Sequence, residues 1–410
     1  MNIPFSPPFV DQEVIDEVVE SLTSGWITSG PKVKALEIEL AKFTSASHAV
    51  CVNSWTSGAI LVMKWFGVKP GDEVIIPAYT YSATALAVLH CGAKPVMVDI
   101  NDDLTINVNH LRNVINPRTK IIMPVDIAGL PCDYDAINSL VQNPDISKLF
   151  QAESEKQQLL NRILVISDAA HSFGAQYKDR QAGVLTDITI FSFHAVKNLT
   201  TAEGGGICLN LPEPFNNGAE YSLMKLYSLN GQNKDALAKS KAGSWKYDIL
   251  FQGLKANMPD LCAAVGLAQI RKYDDHLLFE RARVAYAYQK FFISKGWAQL
   301  PILDDENRRS CYHLYALRIH GITELQRDQM IEEISKTGIS VNVHFIPMPM
   351  LTLFKELGYQ IANYPNSYDQ YSREISLPIY PQLSDEDILR VCNAVESAYL
   401  SVTVHDEASV

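Results

Sequence analysis

Between residues 48 and 210, short apolar runs alternate with stretches whose apolar residues recur at helical spacing. The runs fall at 48–53, 73–77, 95–100, 120–125, 162–167, 188–193 and 206–210. Runs this short, β-branched and continuously apolar read as strands buried on both faces, the habit of a parallel sheet. Helical patterns open at Thr56, after Tyr81 and after Asp133. The alternation predicts an α/β fold with a mostly parallel sheet flanked by helices.

The pattern then changes. Residues 142–158 are polar and read as a surface excursion. Residues 211–247 are polar, rich in Asn, Gly and Lys, and read as a mobile loop region. One long helix is predicted from about 261 to 292, strands at 312–320 and 339–345, and helices around 323–337 and 384–401. The division that follows is a large domain over 1–255 and a smaller α+β domain over 256–410. No internal repeat or low-complexity tract interrupts it. A chain of 410 residues suits two such units.

Composition narrows the partners. The net charge of −11 repels nucleic acid and anionic lipid, so neither is expected. A small anionic substrate stays open, because a local cationic pocket overrides a diffuse field. Seven widely spaced cysteines form no C-x-x-C pair, which gives no metal or redox motif and suits a reducing compartment. No apolar stretch is long enough to span a bilayer, and the first residues lack the basic and apolar regions of a leader. A cytoplasmic protein is therefore expected.

Four short segments carry candidate chemistry, each just past a predicted strand. In the first, Lys197 follows the strand at 188–193 and precedes a run of three glycines ending at Gly206. A lysine there can enter the crevice at the carboxyl edge of an open sheet, where desolvation frees its amine for Schiff-base chemistry. Taken alone, a solvated lysine in a glycine-rich turn is the commoner case. In the second, Asp168 ends the strand at 162–167, with His171 three residues on; a carboxylate there can pair with a protonated pyridine nitrogen, or simply cap a helix. In the third, Thr56 and Ser57 open a helix whose free N–H groups can bind phosphate, although plain capping explains them too. In the fourth, Tyr81 follows a strand and can stack on a planar cofactor or pack in the core. One crevice can collect all four.

With these residues in view, the chain resembles the DegT/DnrJ/EryC1/StrS sugar aminotransferases, pyridoxal-phosphate (PLP) enzymes of fold type I. The resemblance runs from Ser24 to the helix near 400. It is most specific at 192–205, at 168–171, at 245–248 and at 257–261. It implies that Lys197 holds PLP as a Schiff base and moves protons, with pyridoxamine phosphate as the alternate form. It implies that Asp168 binds the pyridine nitrogen, Tyr81 stacks on the ring and His171 lies beside it. Thr56, Ser57 and Ser192 would hold the phosphate. Asn257 would reach the cofactor phosphate of the neighbouring subunit in a homodimer. Thr28, Ser29 and His344 would lie near the substrate.

The implied reaction takes an amino group from L-glutamate to the C4 keto group of a nucleotide-linked, UDP-type deoxy sugar, as in amino-sugar and polysaccharide synthesis. Lys239, Lys241 and Lys246 could meet the diphosphate, though a solvated basic loop explains them as well. Trp55 departs from the family by standing where a small residue is usual, which bears on the pocket wall. Residues 345–350 lack the second histidine of many members. Two alternatives remain. A dehydratase of the same family would carry histidine in place of Lys197. A non-catalytic binding protein on the fold would be expected to lack the lysine or the aspartate. No G-x-G-x-x-G, G-x-S-x-G or H-E-x-x-H motif is present, and no metal site is expected.

Overall fold

The computed structural model describes residues 2–234 and 245–407. Five strands come first: β1 (His48–Val52), β2 (Glu73–Pro77), β3 (Lys94–Val98), β4 (Thr119–Ile122) and β5 (Leu164–Asp168). A short ribbon of β6 (Gln176–Tyr177) and β7 (Arg180–Gln181) leads to β8 (Ile188–Ser192) and β9 (Gly205–Leu209). The rest of the chain adds β10 (Ala298–Gln299), β11 (Arg308–Arg309), β12 (Tyr315–Ile319) and β13 (Glu374–Leu377).

The main sheet has seven strands in the order β1-β9-β8-β5-β4-β2-β3. β3, β2, β4, β5 and β8 are parallel, while β9 runs antiparallel to both β8 and β1. All residues of β2, β4, β5 and β9 are buried, because helices cover both faces. The carboxyl ends of β1, β2, β5 and β8 therefore meet at one edge, where β9 begins. A second sheet, β10-β12-β13, is antiparallel, and β11 joins the β6–β7 ribbon.

The structure corrects four sequence expectations. Residues 211–247 are not one loop region, since Asn217–Ser228 is a helix capped by the Asn216 side chain. Its buried stripe is Glu220, Met224 and Ser228, at helical spacing but mostly polar, so a hydrophobic period misses it. Glu220 is satisfied there by Trp65 Nε1 at 2.7 Å and Lys156 Nζ at 2.6 Å. The stretch 142–158 is the surface excursion expected, almost all of it exposed or half-buried, and it carries helices at Pro144–Ser147 and Glu155–Leu160. Its Gln157 is fully buried and donates to the Phe66 carbonyl at 3.0 Å. The long helix divides into Asp260–Ile270 and Phe279–Phe292 around a wide turn, Tyr273–Leu278. Tyr273, Leu277 and Leu278 are buried together there, an i, i+4, i+5 spacing that a wider turn accommodates. Residues 339–345 form no strand; only Ile339 and Asn342 make isolated bridges, to Ile3 and Ser376. The last helix runs Asp385–Glu407, longer than expected.

Candidate active site

The shared carboxyl edge of the main sheet opens into a cavity of about 360 Å³. Ser54, Trp55 and Thr56 reach it from the end of β1, Tyr81 and Thr84 from β2, Asp168 and His171 from β5, and Ser192 and Lys197 from β8. His313, His344 and Phe345 close it from the C-terminal part, and Phe5 and Ser6 from the N-terminal segment.

Helix Trp55–Phe66 aims its N-terminus at this cavity. Ser54 caps it, its hydroxyl accepting from Ser57 N–H at 3.1 Å and donating to Ser57 Oγ at 3.0 Å. β9 starts hard against this turn. A side chain at Gly205 would meet Ser54 carbonyl carbon at 2.8 Å and Trp55 nitrogen at 2.9 Å, so only glycine lets the two backbones pass. The pairing of a helix N-terminus with small hydroxyl residues suits a phosphate.

Asp168 ends β5 at 3% exposure. Thr84 Oγ1 donates to its Oδ2 at 2.8 Å and Ala170 N–H to its Oδ1 at 3.2 Å. Among the described residues no cation lies within ion-pair distance. Burial pushes its carboxyl up to about 7, against the pull of Thr84, Ala170 and the Lys197 charge. A buried carboxylate without a cation is the gap that a protonated ring nitrogen fills. Burial also brings Lys197 down to about 8, opposed by Asp168 and Cys311. An amine near this value is a usable nucleophile and base near neutral pH.

Three histidines stand beside the lysine. His171 accepts from Ala128 N–H on Nδ1 at 3.3 Å, and its ring centre lies 4.3 Å from that of His313. His313 Nδ1 bonds Asn198 Oδ1 at 2.8 Å, and Asn198 donates to the Cys311 carbonyl at 2.7 Å. Burial first, then neighbouring charge, holds His171 and His313 well below the ordinary range, and His344 at about 3. All three are neutral. Trp55 is buried in the wall, and among the described residues its indole N–H has no partner. Tyr81, 61% exposed, stands at the mouth with its ring centre 5.6 Å from Phe345.

Not every sequence candidate is here. Ser57 serves the helix cap and is absent from the cavity lining. Thr28, Ser29 and Asn257 line a second pocket of about 270 Å³, with Lys34, Lys225, Lys234 and Lys255. Asn257 donates to Ser29 Oγ at 2.6 Å and accepts from Lys255 Nζ at 2.6 Å. Lys246 is exposed beside Trp245, while Lys239 and Lys241 lie outside the described residues. Thr84 and His313 escaped the sequence reading. Thr84 had a weak signal, a hydroxyl four residues after Thr80. His313 had none, because a loop from the C-terminal part brings it in.

The model of the DegT/DnrJ/EryC1/StrS aminotransferase family matches residues 8–396. The chain is 38% identical over 402 residues to the spore coat polysaccharide biosynthesis protein SpsC of Bacillus subtilis, covering 96% of each. It is 32% identical to the UDP-4-amino-4-deoxy-L-arabinose–oxoglutarate aminotransferase of Shewanella sediminis, covering 96% of this chain and 97% of the relative. Among solved structures it resembles the putative sugar aminotransferase Spr1654 of Streptococcus pneumoniae in its pyridoxamine-phosphate form. The TM-score is 0.94 at 41% identity, over 98% of this chain and all of the other. The same protein in its PLP form gives a TM-score of 0.93.

Proposed function

The chain belongs to the DegT/DnrJ/EryC1/StrS aminotransferase family, whose cofactor is PLP, and on that premise we propose that it aminates a sugar. The reading is specific: L-glutamate gives its amino group to the C4 keto group of a UDP-linked deoxy sugar. The observation that carries the aminotransferase chemistry is the pairing in one cavity of a buried carboxylate, without an ion-pair partner among the described residues, with a lysine brought down to about 8. The names of SpsC and of the Shewanella relative support sugar chemistry, and the latter supports UDP and C4.

When bound, the cofactor supplies an electrophilic carbon and an electron-withdrawing ring. Asp168 would hold the ring nitrogen protonated, with Thr84 fixing the carboxylate plane. Lys197 Nζ would hold the cofactor covalently, then act as the base that moves a proton to and from the amino-bearing carbon. Thr56 and Ser192, with the helix N-terminus at Trp55, would take the phosphate. His171 would lie against the ring and Tyr81 would cover it from the mouth. Excluding water strengthens each of these contacts.

Asn257, Thr28 and Ser29 form a polar, lysine-rich pocket apart from Lys197 in this chain. In a homodimer that pocket would complete the partner's site.

The test is amination of a UDP-4-keto sugar with L-glutamate, read as 2-oxoglutarate release. Lys197→Ala is expected to lose turnover and the cofactor's visible absorption band. Full activity in that variant would sink the assignment.

A further inference from the structure

We propose that Glu374 and Ser376 are positioning residues that hold His344 protonated on Nδ1, so that its Nε2 lone pair accepts a hydrogen bond from a substrate hydroxyl in the cavity. The substrate half of this inference rests on the proposed function.

Two-residue periodicity puts Glu374 and Ser376 on one face of β13. The segment carrying His344 runs beside it, tied by the bridge between Asn342 and Ser376. Ser376 Oγ donates to Glu374 Oε1 at 2.5 Å, and His344 backbone N–H donates to Glu374 Oε2 at 3.0 Å. His344 Nδ1 lies 2.9 Å from Ser376 Oγ. A serine has one proton to give, and above neutral pH, where Glu374 is ionised, the carboxylate accepts it in a hydrogen bond. Its oxygen then accepts, so the ring proton belongs on Nδ1. A neutral ring carries only one proton, so Nε2 is left bare. No protein partner meets Nε2 among the described residues.

The rest of the surroundings hold this arrangement still. Phe5 stacks on the ring at 5.3 Å, Phe345 meets it edge-on at 4.9 Å, and Tyr79 OH donates to the His344 carbonyl at 2.5 Å. Glu374 is fully buried, yet Arg318 and Arg327 spend their guanidinium bonds elsewhere. Arg318 serves the carbonyls of Asp102 and Leu300; Arg327 serves the carbonyls of Tyr371 and Glu374 and the Asp328 side chain. The carboxylate oxygens are thus given wholly to His344 and Ser376.

The direct test is nitrogen NMR, at a pH above about 8 where Glu374 is ionised, of the full-length, cofactor-loaded protein labelled at histidine. His344 is expected to show a protonated Nδ1 and an unprotonated Nε2. A proton on Nε2 in the wild type overturns the proposal. Glu374→Gln replaces one acceptor oxygen by an NH2 donor; Ser376 must then donate to Nδ1, and the ring proton should move to Nε2. Ser376→Ala, a second and smaller change, should leave a mixture of tautomers. Two-substrate kinetics supply the other readout. In Glu374→Gln, kcat/KM for the keto sugar should fall about tenfold, the scale of one lost hydrogen bond, while kcat/KM for the amino donor stays within about twofold. Unchanged keto-sugar kinetics in both variants, with the tautomer moved as expected, overturns the substrate contact. If the wild type aminates no keto sugar, the proposed function fails, and the NMR result still decides the relay.

Discussion

At the scale of single residues, Asp168 and Lys197 are each pushed toward neutrality by burial, and each draws the other back toward charge. This has a measurable sign. Asp168 titrates at about 7 in the folded protein against an ordinary 3.8, so the folded state holds a proton the unfolded state has lost between those values. The contribution of Asp168 to the stability of the cofactor-stripped protein should therefore fall as pH rises from about 4 to about 7, while His171, His313 and His344, held below their ordinary value, contribute a rise below about 6.5. The stability difference between wild type and Asp168→Asn in urea titrations isolates the aspartate, and that difference should shrink across the window. Glu374, raised to about 7 by its own burial, contributes with the same sign in both proteins and cancels from the difference. In the loaded enzyme the same substitution removes a preorganised charge, and kcat should drop on the order of a hundredfold. The aspartate was legible because it ends an apolar strand. Its supporting Thr84 carried only a weak signal, because a contact across 84 residues is decided by how the helix packs on the sheet.

At the scale of elements, one backbone junction braces a helix beside the second pocket and another shapes the turn at the cavity. Helix Pro31–Thr44 has no side-chain cap of its own. The buried Asp260 instead accepts from Gly30, Lys32 and Val33 N–H at 2.8, 3.1 and 3.0 Å. Asp260→Ala strands three donors at once and should cost about 3 kcal/mol in denaturant unfolding, the sum of a lost cap and a lost charged acceptor. Gly205→Ala drives a methyl into the backbone of Ser54 and Trp55. The phosphate turn would have to move, so the affinity for PLP in a fluorescence titration should fall more than the unfolding midpoint does. Strand positions were readable throughout the main sheet, because both faces are buried and the run of apolar residues is unbroken. Helix Asn217–Ser228 was not readable, since its buried stripe is closed by Glu220, whose partners Trp65 and Lys156 lie on other elements, and by Ser228, whose hydroxyl turns back onto the Lys225 carbonyl.

At the scale of the whole molecule, residues far apart in the chain converge on one cavity. Phe5 arrives from one end, His344 from the other, and the sheet edge lies between them. The pocket holding Asn257 and Ser29 is separate in this chain, which leads to a test of the proposed dimer. Lys197→Ala and Asn257→Asp should each be inactive as homodimers. Mixed dimers should regain part of the activity, because one of their two sites then has both residues intact. No recovery on mixing would mean that Asn257 serves only its own chain. No helix among the described residues is long and apolar enough to cross a membrane.

The sequence by itself determined which residues could do chemistry: a lysine, an aspartate, an aromatic and a helix start, each just past a buried strand. That is local information, because strand burial and turn position are written in adjacent residues. Only the tertiary structure decided which of them share a cavity. It brought Lys197, Asp168, Thr56, Tyr81, His171, Ser192 and His344 together, turned Ser57 to the cap beside them, and set Thr28, Ser29 and Asn257 in a second pocket. It also supplied Thr84, His313 and the Glu374–Ser376 pair, whose roles exist only as hydrogen bonds between distant segments. The physical reason is the same in each case. Periodicity reports whether a side chain is buried, and the polar partner it is buried against depends on how the elements pack.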